Sequence, residues 1–225
     1  KTMKEAIKFW RTTCDEYPLL KQWIERDGST APMMGSEEAI CNVHVLREAV
    51  FYEVMLAKMV QSIPTESERL RIVSERDGFG MTLLHLAAEL GNPGSINTIL
   101  ALYPEQERLQ ALNVTCDNGW TILHCVARSG SIESLKVILS HYPESERVHA
   151  VQVQDESGRT ALHHAINSKD IECIKAILTL IPKAERIRDV SMQDHLGWTA
   201  LHYAAQSGNS EVIQTILILC PESGL

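Results

Sequence analysis

Four residue types recur in this chain at a single fixed step. Thr82, Thr121, Thr160 and Thr199 lie 39 residues apart, and so do Gly80, Gly119, Gly158 and Gly197. Leu84, Leu123, Leu162 and Leu201 keep that step, as do His85, His124, His163 and His202. The series stay in phase with no insertion between copies, and the self-similarity runs from about Pro64 onward. A unit this short has too little apolar surface to close a core on itself. It must stack on its neighbours, which makes the chain a solenoid of four units.

Within each copy the pattern predicts a helix–turn–helix. Gly two residues before Thr supplies a turn, and Thr stands where a helix N-cap is wanted, ahead of Leu-His and small Ala-rich positions. A break follows at Gly91, Gly130, Lys169 and Gly208, with Lys169 the one residue there ill-suited to a left-handed conformation. The second helix carries Ile96, Ile99, Leu100 and Tyr103 in the first copy. The later copies carry Leu135, Ile138, Leu139 and Tyr142, then Ile174, Ile177, Leu178 and Ile181, then Ile213, Ile216, Leu217 and Cys220. That spacing is one face of an α-helix. Pro104, Pro143, Pro182 and Pro221 end these helices, and Pro-Glu at a helix start suits the missing N–H and the dipole. The Glu-Arg that follows (Glu107-Arg108, Glu146-Arg147, Glu185-Arg186) therefore predicts a short third helix in each connection. The same repeated Glu-Arg could serve as a solvated or inter-unit ion-pair series, or as a recognition ladder.

The run D-x-x-G-x-T-x-L-H, clearest at Asp155–His163 and Asp194–His202, resembles the ankyrin repeat. The resemblance covers about two-thirds of the chain and implies an all-α, ankyrin-type helical solenoid. Its units are longer than the usual length of about 33 residues, the extra residues falling at the Pro-Glu-x-Glu-Arg segment. Cys116 stands where the Asp is expected, and Met81-Thr82-Leu83 lacks the common Thr-Pro. Lengthened units of this kind look similar to arrays in effector proteins that intracellular bacteria such as Legionella secrete into host cells. The resemblance implies a partner protein held on the concave side, by the hairpin tips and the open face of the first helices. Transferred position by position, the partner-binding candidates are Phe79, Met81, Trp120, Arg159 and Trp198 at the tips. His164 and Tyr203 follow the motif His, and Arg128 lies four residues beyond it. Large aromatics and Arg carry most binding energy at interfaces.

Residues 64–225 form the repeat region, with motif cores near 77–104, 116–143, 155–182 and 194–221. Residues 1–63 form an N-terminal helical region, in which 37–63 are the candidate cap over the first unit and two further helices precede it. The fourth connection begins at Pro221 and stops, a pattern that predicts continuation of the natural protein.

A net charge of −8 argues against a nucleic-acid partner, because that affinity needs clustered Lys and Arg. No apolar run is long enough to span a bilayer. Six cysteines without C-x-x-C spacing point to reduced thiols in a cytosol-like compartment, or in a host cytosol for a secreted effector. The four in-phase His residues could suggest a metal string. One per unit in the same local motif instead predicts a structural hydrogen bond, to the preceding loop and Thr. No nucleophile, phosphate-loop or zinc motif is found. The chain therefore reads as a non-enzymatic interaction module without cofactor or metal; the alternative is a targeting domain of a larger enzyme whose chemistry lies elsewhere.

Overall fold

The computed structural model describes residues 65–220, together with Ala57, Val60, Gln61 and Ile63. The cap and upstream helices expected in 1–63 otherwise lie outside the described residues. Twelve α-helices and no strands are found among the described residues. A connecting helix, α1 (Glu66–Ser74), precedes three complete inner–outer–connecting sets. These are α2 (Leu83–Glu89), α3 (Pro93–Leu100) and α4 (Glu105–Leu112); α5 (Ile122–Ser129), α6 (Ile132–Ser140) and α7 (Glu144–Gln152); and α8 (Ala161–Ser168), α9 (Ile171–Leu180) and α10 (Lys183–Val190). A last inner–outer pair follows, α11 (Ala200–Ser207) and α12 (Ser210–Leu219). The architecture is the all-α repeat solenoid that the periodicity predicts, and the inner helices start at the expected 39-residue step.

Each unit buries what its pattern marks as apolar. Ala87, Ala127, Ala165 and Ala204 are fully buried, and their small size lets successive inner helices pack closely. On the outer layer, Ile96, Ile99, Leu135, Ile138, Ile174 and Ile177 are fully buried, each such side chain contributing roughly 1.5–3 kcal/mol. In the last unit this face is open. Leu217 is 58% exposed where Leu178 is 0%, and Leu201 is 36% exposed where Leu162 is 2%. No unit stacks there among the described residues.

The connecting helices explain the lengthened unit. Pro104, Pro143 and Pro182 are their N-cap residues, with extended ψ, and glutamates occupy the first turn of α4, α7 and α10. The arginine of each Glu-Arg pair turns back on the chain. Nε of Arg108, Arg147 and Arg186 donates to the carbonyl oxygens of Tyr103, Tyr142 and Ile181 at 3.2, 3.2 and 2.9 Å, just past the outer helix end. Arg69 does the same to Ile63 at 2.9 Å. These arginines therefore satisfy the orphan carbonyls of a helix C-terminus. Among the described residues Arg108, Arg147 and Arg186 form no ion pair, so an ion-pair series is not found there.

Lys169 adopts φ 64° and is the one described non-Gly residue in the left-handed region, at the place where Gly130 and Gly208 occur in other units. The repeat geometry imposes that conformation on a side chain that resists it. Lys169→Gly is expected to raise the unfolding free energy by about 0.5–1 kcal/mol, with Lys169→Ala close to neutral. Urea denaturation of the three proteins checks this; equal stabilities for Gly and Ala would mean the left-handed backbone carries no penalty.

Candidate functional site

The tip of each unit is a hairpin held by its own backbone. Asp77 N donates to Met81 O at 2.9 Å, Cys116 N to Trp120 O at 3.0 Å, Asp155 N to Arg159 O at 2.8 Å and Asp194 N to Trp198 O at 2.9 Å. Adjacent hairpins are then joined. Phe79 O, Asn118 O and Ser157 O accept from the N–H groups of Asp117, Glu156 and His195 at 3.0, 3.1 and 2.9 Å. Gly119 (φ 72°) shows how close the approach is: a Cβ there would meet Glu156 N at 2.8 Å. The carboxylates of Asp155 and Asp194 close the turn from inside, Oδ1 of each accepting two backbone N–H bonds at 2.8 and 2.9 Å.

Each inner helix begins with the motif Thr and His locked in a reciprocal capping box. The Thr Oγ1 to His Nδ1 distances are 2.9, 2.9, 3.0 and 2.8 Å from the first unit to the last. The Thr N–H also donates to Nδ1, which assigns Nδ1 as acceptor and Nε2 as the protonated nitrogen. Nε2–H then leaves its own unit. That of His85 donates to Trp120 O at 3.2 Å, and that of His124 to Val153 O and Arg159 O at 3.1 and 3.2 Å. His163 Nε2 faces the Met192 carbonyl without reaching hydrogen-bond geometry. The structural role expected for these histidines is present, but the second bond runs forward to the next hairpin, not back to the preceding loop.

Five of the eight candidate residues lie at the hairpins, and Arg128 lies in the last turn of α5, stacked on one of them. Phe79 is 73% exposed, Arg128 is exposed, and Met81, Trp120, Arg159 and Trp198 are half-buried. Trp120 is wedged edge-on against His164 (ring centroids 4.6 Å apart), while the Arg128 guanidinium lies over its ring at 5.0 Å. Trp198 packs against Tyr203 at 5.3 Å, and the Arg159 guanidinium lies over Tyr203 at 5.4 Å while its Nε reaches Asp194 Oδ2 at 3.5 Å.

Two candidates require correction. His164 and Tyr203 are only 3% and 6% exposed, so neither presents contact area to a partner. Their polar atoms are engaged internally: His164 Nε2 donates to Asp155 Oδ2 at 2.9 Å, and Tyr203 OH to Asp194 Oδ2 at 2.5 Å. They support the tryptophans from below. The signal in the sequence is the spacing of nine residues, which sets Asp155 with His164 and Asp194 with Tyr203 as complementary pairs in the same register. In the second unit that register holds Cys116 and Cys125, both buried thiols. Burial pushes the Cys125 thiol pKa far up, which removes it as a nucleophile.

A family model describing ankyrin repeats (3 copies) matches residues 48–149 and again 145–223. The chain belongs to the ankyrin-repeat family, whose members generally serve as protein–protein interaction modules. No curated protein matches the sequence closely enough to be called a relative. No helix among the described residues is long and apolar enough to cross a membrane.

The buried histidines set a pH dependence. Burial lowers His85 and His124 to about 4 and lowers His163 as well, against an ordinary value near 6.5. The unfolded chain therefore binds more protons than the folded one across that interval. The stability these groups allow is complete above pH 6.5 and is lost as pH falls toward 4. Asp155 adds a further loss only at lower pH: burial alone would raise its pKa, but hydrogen bonds from His164, Arg159 N and Ser157 N bring it down to about 2. The urea midpoint is expected to fall from pH 7.5 to pH 4.5, with a shallower slope in His124→Gln. A midpoint unchanged over that range would contradict the burial of neutral histidines.

Proposed function

We propose that the protein binds a partner protein on its concave, hairpin-bearing side, with Trp120 and Trp198 as the principal anchors and Phe79, Met81, Arg128 and Arg159 around them. The observation that carries this reading is the fixation of the two tryptophans. Each is half-buried at a hairpin tip, held by a ring beneath it, and leaves part of its indole to solvent. Such side chains lose little rotamer freedom on binding, which is what makes a rigid aromatic an effective anchor. Phe79 and Leu196, 73% and 74% exposed in the same tip register, extend the apolar contact along the row.

The lengthened unit supports a narrower form of the proposal, in which the protein is a secreted bacterial effector acting on a host protein. Free thiols at Cys116, Cys125, Cys173 and Cys220 fit the reducing cytosol such an effector would meet.

Affinity capture from a eukaryotic lysate with the wild-type chain and a Trp120→Ala/Trp198→Ala variant tests the surface. The variant loses packing, so its fold is first verified by circular dichroism at the capture temperature. A partner retained by the wild type is expected to be lost from the variant, each anchor being worth about 2 kcal/mol or more. Equal recovery from both would remove the hairpin side as the binding surface.

A further inference from the structure

The described arginines are almost all committed to the protein's own structure. Arg69, Arg76, Arg108, Arg147 and Arg186 donate to backbone carbonyls, and Arg71, Arg159 and Arg188 pair with carboxylates. Arg128 is the exception among the described arginines. It is exposed and makes neither a side-chain hydrogen bond nor an ion pair among the described residues, and its guanidinium lies over the face of Trp120 at 5.0 Å. Stacking on a ring that is itself wedged against His164 restrains the guanidinium while leaving its N–H fork unspent.

Position 128 repeats as Glu89, Arg128, Asn167 and Gln206 along the inner helices. Glu89 is half-buried and has no ion-pair partner among the described residues. Glu89 and Arg128 hold the same repeat position, 39 residues apart, on the adjacent inner helices α2 and α5, which pack against each other. Adjacent inner helices are about 10 Å apart, and neither Glu89 nor Arg128 forms an ion pair among the described residues. The row therefore reads anionic, cationic, neutral, neutral from the first unit to the last.

We propose that Arg128 is the charge-recognition residue of this surface and seats a carboxylate of the partner, while Glu89 seats a cation of the same segment. This rests on the concave-face reading above. The occupant is an extended segment of mixed charge, its acidic and basic side chains about 10 Å apart, or roughly three residues at about 3.3 Å per residue. A uniformly acidic segment would be repelled at Glu89, and a uniformly basic one at Arg128. Bidentate geometry favours a carboxylate on Arg128 over a lone carbonyl.

A random-peptide phage library, panned on the wild-type chain, provides the probe. Enriched peptides are expected to carry an acidic and a basic residue at a constant short spacing. Their affinity should fall about tenfold or more on Arg128→Glu and by less on Arg128→Lys. The Glu89→Lys/Arg128→Glu double variant should select peptides with the two charges in reversed order. Arg128 is exposed but stands in the last turn of α5, where a cation is favoured, so a small fall in the thermal midpoint of Arg128→Glu is expected, and a native circular dichroism spectrum at the assay temperature serves as the folding control. Peptides that bind Arg128→Glu as tightly as the wild type, yet lose binding to Trp120→Ala/Trp198→Ala, would overturn the charge assignment and leave the surface standing. Peptides indifferent to both changes would overturn the surface as well, and failure to enrich any peptide on the wild type would count against both.

Discussion

The bond on which the array depends is the one that His85 and His124 make out of their own units. Thr fixes the ring by holding Nδ1, and Nε2–H is then aimed at a carbonyl of the next hairpin, as in His85 to Trp120 and His124 to Val153 and Arg159. This ties helix start, ring tautomer and hairpin position together. His85 and His124 are buried, and burial lowers their pKa to about 4, so at neutral pH each ring works as a shaped hydrogen-bond relay and not as a charge. The hairpin tips inherit their registration from this chain of bonds, and the exposed surface inherits its rigidity from the tips.

The solenoid and the helix pairs were legible because a period of one unit leaves few ways to bury the apolar stripe. The third helix was legible too, from Pro-Glu followed by an apolar step, and it appears at α4, α7 and α10. The purpose of Arg108, Arg147 and Arg186 was not. A charged residue next to Glu reads as half of an ion pair, and nothing in one dimension shows that a helix end lies within reach of its Nε. Lys169 was legible as a misfit, and the structure holds it at φ 64° because stacking on both sides outweighs its preference.

Candidate contact residues divide by depth. Sequence position separates tip from helix, but it does not tell which aromatic or imidazole is covered. His164 and Tyr203 lie in the same register as Leu86 and Cys125, and each meets the motif carboxylate of its own hairpin instead of solvent. Their burial gives the tryptophans above them their fixed orientation. The hairpin surface is thus a row of preorganised side chains, with Trp120 and Trp198 standing on the buried polar side chains of His164 and Tyr203.

The proposed function places a partner on the hairpin side and not on the side formed by the connecting helices. Hydrogen–deuterium exchange of the protein alone and bound to its captured partner tests this most directly. New protection is expected in the hairpins around Phe79–Met81, Trp120 and Trp198 and in the first turns of α5 and α11. Protection confined to α4, α7 and α10, with the hairpins unchanged, would contradict the account.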